Sequence, residues 1–316
     1  MKTISILDTD ITSSNLGNEI IMQAVYGVMH ELFFNDFLIK IQCQDDIGPL
    51  SRKYIKQSDL AFIGGSNLLT SQMNSYKQIG FSFYDSFKIQ QMILLGVGWW
   101  QYQESPNTYT KFFLKNLLSQ EIIHSVRDEY TKDKLNGLGL MNVLNTSCPS
   151  TWSLTEAHCK LIPSNRTDSV VFTITDYSLD LKSDIQFIEL LTGTYENVFF
   201  WPQGLNDLNY FKNLAIKGKD TIQLIPPKLS AFDELLVNTD IDYIGTRLHG
   251  GIRAMQKKRR SLILAIDNRA EEISADLGLM ICKRDSLCEI KSFINDESET
   301  SLRIPHQNIN TWKAQF

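Results

Sequence analysis

The sequence lacks a cysteine framework. Its five cysteines (Cys43, Cys148, Cys159, Cys282, Cys288) are odd in number and form no CxxC pair. That argues against a disulfide scaffold and against a structural zinc site; buried, reduced thiols are expected instead. Long apolar runs are also missing. The longest, Met92–Trp100, is broken by glycines and falls far short of the roughly 20 residues of a membrane span. The first residues, MKTISILDTD, reach Asp8 and Asp10 before the uninterrupted apolar segment of a signal peptide can form. These absences point to a cytoplasmic protein. There is no basic excess: the net charge is −5, so broad nucleic-acid binding is not expected. Walker and GxSxG motifs are absent, and GVGWWQ lacks the third glycine of a dinucleotide fingerprint. His30, His124, His158, His249 and His306 show no metal-ligand spacing. His30, in a helical stretch, and His124, in a strand, read as structural. No metal or cofactor is expected.

What is present is an α/β alternation. The chain has 316 residues, 43% of them hydrophobic, enough for two cores. TISILDTD reads as a buried strand, ITSSNLGN as a loop, and EIIMQAVYGVMHELF as a helix with Asn18 as its N-cap. FLIKIQC, DLAFIGGSN and QQMILLGVGWW follow as strands, with glycine turns ending the last two. A polar, proline-bearing stretch at 161–168 reads as a linker. Strands and helices then alternate again from SVVFTIT to AEEISADLGL. The expected fold is α/β, with two Rossmann-like, doubly wound parallel-sheet domains facing a central cleft. The expected divisions are 1–163, 164–300 and a tail, 301–316, packing back on the first domain.

Ligands of such folds bind beyond the carboxyl ends of the strands. Asn15, Gly64, Gly65, Ser66, Asn67, Gly96, Gly98, Arg127, Gln203, Arg247 and His249 all follow strands. In YIGTRLHGGIRAM, Arg247 offers a planar fork suited to carboxylate or phosphate. His249 can donate or take a proton. Gly250 and Gly251 would let a ligand approach the first turn of the next helix, whose free N–H groups favour anions. The plainer alternative is an arginine paired with an acidic neighbour and a histidine capping a helix. Arg127 can be a second anion clamp or a local salt bridge to Asp128 or Glu129. Trp99, Trp100 and Tyr102 can form a sugar-stacking platform or simply pack; Gln203 and Asp207 can read hydroxyl groups. KKRR, 257–260, fits a helix C-terminus and a solvated face, or a foothold on an anionic membrane surface.

NLGNEI, FIGGSNLL, LLGVGWW, SVRDEYTKDKLNGLG and YIGTRLHGGIRAM…SLILAIDNR occur in that order. Together they resemble the polysaccharide pyruvyl transferase family over roughly residues 1–270, most specifically at Gly245–His249. The resemblance implies a fold like that of the B-type glycosyltransferases. It implies transfer of pyruvate from phosphoenolpyruvate, as donor substrate, to a sugar hydroxyl pair of a cell-surface polysaccharide or its lipid-linked precursor, giving a ketal and phosphate. The donor site would involve Arg127, Arg247, Leu248, His249 and Gly250, with Arg247 and His249 catalytic. Asn15, Gly17, Asn18, Gly64, Gly65, Ser66, Asn67, Trp99, Trp100 and Gln203 would line the acceptor side, and contact with the inner membrane surface would be peripheral. Four places depart from the family pattern: Gly17-Asn18 stands for Gly-Asp, Gly64-Gly65-Ser66 for three glycines, Arg269 for a lysine, and SCPSTWSL for an Asp-Pro pattern. A nucleotide-sugar glycosyltransferase, with Asp233 or Glu234 at a ribose, and a non-catalytic family member are the alternatives.

Overall fold

A computed structural model describes residues 1–316. It contains β1 (Thr3–Asp8), α1 (Leu16–Leu32), β2 (Phe37–Gln42), α2 (Pro49–Gln57), β3 (Leu60–Gly64), β4 (Asn67–Leu69), β5 (Met92–Leu95), β6 (Gly98–Trp99), α3 (Thr108–Leu117), β7 (His124–Val126), α4 (Glu129–Gly137) and β8 (Val143–Asn145). It continues with α5 (Glu156–Cys159), β9 (Ser169–Thr173), α6 (Leu181–Thr192), β10 (Asn197–Phe200), α7 (Asp207–Asn213), β11 (Gln223–Leu224), α8 (Leu229–Asn238) and β12 (Asp242–Gly245). The last elements are α9 (Leu248–Gln256), β13 (Ser261–Ala265), α10 (Asn268–Leu277), β14 (Ile281–Lys283), α11 (Leu287–Asn295) and α12 (His306–Lys313).

The chain forms two compact units. The first comprises residues 1–13, 21–152 and 304–316; the second comprises 14–20 and 153–303. The first unit is built on a four-stranded parallel sheet in the order β2-β1-β3-β5. Helices cover both faces of a parallel sheet, so its strands read as nearly continuous apolar runs. Ile4, Ile6 and Phe62 pack on Ile21, Val25 and Met29 of α1 on one face. Leu7, Ile63 and Leu94 pack toward Phe113 and Leu117 of α3 on the other. Trp312 of α12 is fully buried in this unit. Its ring meets Phe62 and Trp152 edge-on at 6.3 and 6.2 Å, and Lys313 pairs with Glu31 at 2.7 Å.

The second unit carries a six-stranded parallel sheet, β11-β10-β9-β12-β13-β14. From β9 the chain winds outward through β10 and β11, then returns to place β12, β13 and β14 on the other side. The strand order therefore reverses between β9 and β12, the position where folds of this kind bind ligands.

Several expectations need correction. The division falls after Trp152, ahead of residue 163. Residues 153–163 belong to the second unit, where His158 Nε2 hydrogen-bonds to Met255 O at 2.8 Å and ties α5 to α9. Helix α1 starts at Leu16, so Asn18 lies inside its first turn; Asn15 Oδ1 accepts from the Gly17 N–H instead. Four cysteines are buried, but Cys288 on α11 is exposed. No helix is long and apolar enough to cross a membrane.

Candidate active site

The expected site residues fall into two groups. In the second unit, Asn15, Gly17, Asn18, Gln203, Arg247, Leu248, His249 and Gly250 gather at the carboxyl ends of β9, β10 and β12. In the first, Gly64, Gly65, Ser66, Asn67, Trp99, Trp100 and Arg127 follow β3, β5 and β7.

At the β9–β12 switch point the sheet and the next helix are locked together. Gly245 pairs with Thr173 in register, and a Cβ on Gly245 would lie 2.3 Å from Thr173 Oγ1 and 2.7 Å from backbone. Only glycine fits there. Thr173 Oγ1 accepts from the Arg247 N–H at 3.2 Å and shares a hydrogen bond with Tyr243 Oη at 2.6 Å. Tyr243 Oη donates onward to Arg247 O at 2.7 Å. This chain of bonds fixes Arg247 immediately before α9.

The Arg247 side chain is buried and occupied. Its Nε donates to Asp207 Oδ2 at 3.1 Å, and its Nη2 donates to Asp207 Oδ1 and, at 3.2 Å, to Asp176 Oδ1. Gly204 makes room for this pair, since a Cβ there would lie 2.3 Å from Arg247 Nη2. Burial pushes the Asp207 carboxyl above its ordinary value, opposed by the guanidinium beside it. Tyr177 lies against both Arg247, 5.0 Å from its ring centroid, and Arg269. Arg247 is thus an arginine held by acidic partners, not an open fork.

The double glycine also differs from expectation. A Cβ on Gly250 would lie 2.8 Å from Tyr243 Oη, and one on Gly251 would lie 2.0 Å from Ile263 Cδ1. These glycines let α9 pack against β12 and β13, rather than letting a ligand reach the helix. Leu248 and His249 are buried beside them. Gln203 Nε2 donates to Asn15 Oδ1 at 3.0 Å, and a Cβ on Gly17 would lie 2.7 Å from Gln203 Nε2. Around this group the buried Oγ1 atoms of Thr175 and Thr246 and Oε1 of Gln203 have no hydrogen-bond partner. Buried polar atoms are normally paired, so these three are unspent hydrogen-bonding capacity beside the switch point. Thr246 lies within the Gly245–His249 segment, but Thr175, Asp176 and Tyr177 carry no signal in the sequence. These three follow the end of β9, but nothing in their local pattern distinguishes them.

In the first unit, Gly64 and Gly65 are packing glycines: a Cβ on Gly65, whose φ is +60°, would lie 2.1 Å from Ile21 Cγ2. Trp99 is fully buried, and its Nε1–H donates to Gln103 Oε1 at 3.0 Å. It is a core residue and offers no stacking face. Trp100 is half-buried and already stacked on Tyr76 at 4.1 Å.

Arg127 is fully buried and donates through Nε to Asp128 Oδ2 at 3.1 Å. Asp128 also caps α4, accepting from the Thr131 N–H at 2.7 Å. Arg127 Nη2, however, has no partner, and neither does Asn67 Oδ1. Both side chains border Gly98, where a Cβ would lie 2.2 Å from Arg127 Nε and 2.6 Å from Asn67 Oδ1. A buried cationic donor and a buried acceptor are left unsatisfied side by side.

The sequence profile described as polysaccharide pyruvyl transferase matches residues 15–268, a span that contains every residue of both groups. The chain belongs to the polysaccharide pyruvyl transferase family. No curated protein sequence matches it significantly. Among solved structures it is similar to UDP-GlcNAc 2-epimerase from Methanocaldococcus jannaschii, at 14% identity, TM-score 0.55, covering 96% of this chain and 95% of that one. It is similar also to the S. aureus MnaA–UDP structure, at 11% identity, TM-score 0.57, covering 99% and 91%. These likenesses show the fold, which is of the B-type glycosyltransferase kind. In the second unit, Arg247 and His249 follow β12 at the point where the strand order reverses between β9 and β12.

The KKRR stretch is less available than its sequence implies. Arg260 is fully buried against Asp242, Arg259 pairs with Asp240 at 2.6 Å, and Lys257 reaches Asp233 at 3.8 Å. Asp233 is also held by Arg253, so it is not presented to a ribose.

Proposed function

We propose that this protein transfers pyruvate from phosphoenolpyruvate to a pair of hydroxyl groups on a sugar of a cell-surface polysaccharide or its lipid-linked precursor. The observation that carries the reading is the family match across residues 15–268, which takes in Arg127 and the Arg247–His249 block. Phosphoenolpyruvate has a carboxylate and a phosphate, both acceptors for arginine. Arg127 Nη2 is the buried donor without a partner and is assigned to one of them. Arg247, fixed by Asp207 and Asp176, holds the turn into α9 and so positions His249.

The chemistry balances with these groups. One sugar hydroxyl bonds through its oxygen to C2 of phosphoenolpyruvate and gives up its proton, while a proton is delivered to C3 and turns the methylene into a methyl. The C2–O bond to phosphate then breaks, inorganic phosphate leaves with the electron pair, and the second hydroxyl oxygen closes the ketal as its proton departs. His249 is the residue assigned to proton transfer. No cofactor enters this scheme.

The test is sugar-dependent phosphate release from phosphoenolpyruvate, followed with a panel of free and lipid-linked sugars. Release in the wild type and its loss in a folded His249→Ala variant is the expected result. Full activity in that variant would sink the assignment. A thermal shift with nucleotide sugars and none with phosphoenolpyruvate would replace the reading by a glycosyltransferase.

A further inference from the structure

One face of the first unit exposes aromatic rings among lysines, although the chain as a whole is acidic. Three segments form it: helix α2, the stretch 81–90, and helix α3. Arg52 of α2 donates from Nε to Asp85 Oδ1 at 2.6 Å, and Phe83 packs on Tyr109 of α3 at 5.1 Å between ring centroids. The three segments are therefore contiguous. Tyr84 is 65% exposed, Phe87 58%, Phe112 56% and Leu50 62%, with Phe83 and Tyr54 also in solvent. Large side chains exposed together are uncommon on a free surface and mark contact sites.

The charges on the same segments are one-sided. They carry six basic residues, Arg52, Lys53, Lys56, Lys88, Lys111 and Lys115, against the single acidic Asp85, in a chain of net charge −5. Asp85 is buried and engaged by Arg52, while Lys53, Lys56, Lys88 and Lys111 are exposed. Lys88 Nζ sits over the Tyr84 ring at 3.9 Å. Along α2 the exposed Leu50, Lys53 and Tyr54 lie at helical spacing on one side of the helix, and on α3 Lys111 and Phe112 are both exposed. Aromatic and aliphatic tips set among lysines match the chemistry of an anionic bilayer surface: rings enter the headgroup layer and ammonium groups meet lipid phosphates.

We propose that this face, formed by α2, residues 81–90 and α3, docks the protein on an anionic phospholipid surface. It differs from the KKRR stretch, whose arginines are paired within the second unit. The inference does not depend on the reaction assigned above.

The experiment is co-sedimentation of the full chain with vesicles of phosphatidylcholine alone and of phosphatidylcholine mixed with phosphatidylglycerol. Binding only to the mixed vesicles, weakened by salt, is expected. Lys53→Glu/Lys111→Glu should lower the partition coefficient by roughly tenfold or more. Tyr84→Ser/Phe87→Ser should lower it as well, and Lys257→Glu/Lys258→Glu should not. Circular dichroism confirms that each variant is folded. Three outcomes would overturn the proposal: no binding to either vesicle, equal binding to both, or variants of the face that bind like the wild type. Sedimentation velocity adds a fourth. If the wild type is a dimer that the face variants dissociate, the face is occupied by a second copy of the chain.

Discussion

Replacing Arg127 separates a ligand-binding arginine from a structural one. Its Nη2 is buried without a partner, a defect that costs about 1–3 kcal/mol. Its Nε bonds to the buried Asp128 at 3.1 Å. Removing one member of a buried pair costs about 3–5 kcal/mol. Arg127→Met removes both the pair and the orphan donor, so a net loss of about 2 kcal/mol is expected. Asp128 must still cap α4 through Thr131, and asparagine caps as well as aspartate. The double variant Arg127→Met/Asp128→Asn therefore keeps the cap while removing the pair and the orphan. Replacing a buried ion pair by apolar volume is neutral or stabilises by about 1–4 kcal/mol. The double variant should be at least as stable as the wild type in urea. Phosphoenolpyruvate at about 100 times its Kd should stabilise the wild type by about 2.7 kcal/mol. Neither variant should respond to it. Urea unfolding and thermal melts with and without phosphoenolpyruvate give both readings. A double variant about 2 kcal/mol less stable than the wild type would make Arg127 a structural pin. A double variant that still melts later with phosphoenolpyruvate would refute its role in binding.

Other outcomes follow from the same geometry. His249→Ala is expected to lower kcat by about 10²–10⁴-fold while leaving the phosphoenolpyruvate melting shift in place, which steady-state kinetics and melts together check. Gly245→Ala drives a Cβ to 2.3 Å from Thr173 Oγ1 and should cost about 1–3 kcal/mol, read as a lower urea midpoint; an unchanged midpoint would mean the β9–β12 junction is looser than described. Burial pushes the His124 imidazole down to about 4, below its value of about 6.5 in an unfolded chain. The unfolded chain then binds the extra proton between those values. Stability should therefore fall as pH drops from about 6.5 toward 4, by about 3 kcal/mol in all, with no loss above that window. His124→Gln should flatten that part of the urea-midpoint profile, and an unchanged slope would assign it to other groups.

Most of the sheet was legible because buried parallel strands are runs of apolar residues. TISILD, LAFIG, SVVFT and SLILA each became a strand. The glycine turns were legible too, but their purpose was not. Gly65, Gly250 and Gly251 avoid collisions with Ile21, Tyr243 and Ile263, and a string of letters does not say whether a glycine clears space for a ligand or for a neighbouring helix. Helix α2 leaves no periodic signature because its nine residues have only one buried side chain, Ile55, too few to set a period. In α12 the fully buried side chain is Trp312. Trp99 and Trp100 looked alike, yet one fills the core and the other stacks on Tyr76; a two-residue strand is too short to show alternation.

The two arginines show where local reading misleads most. Arg127 has Asp128 next to it in sequence, so a local salt bridge is the natural expectation. That bridge exists, but it occupies one nitrogen and leaves Nη2 buried and unsatisfied. Arg247 has no acidic residue adjacent to it, and its nearest in sequence, Asp242, is taken by Arg260. Its partners, Asp207 and Asp176, lie 40 and 71 residues away in sequence and arrive only through the parallel sheet. Sequence distance sets how visible a partner is, while burial and unspent donors set what a side chain can still bind. By that measure the free donor capacity lies with Arg127, and the role left to Arg247 is to hold α9, and His249 on it, in place.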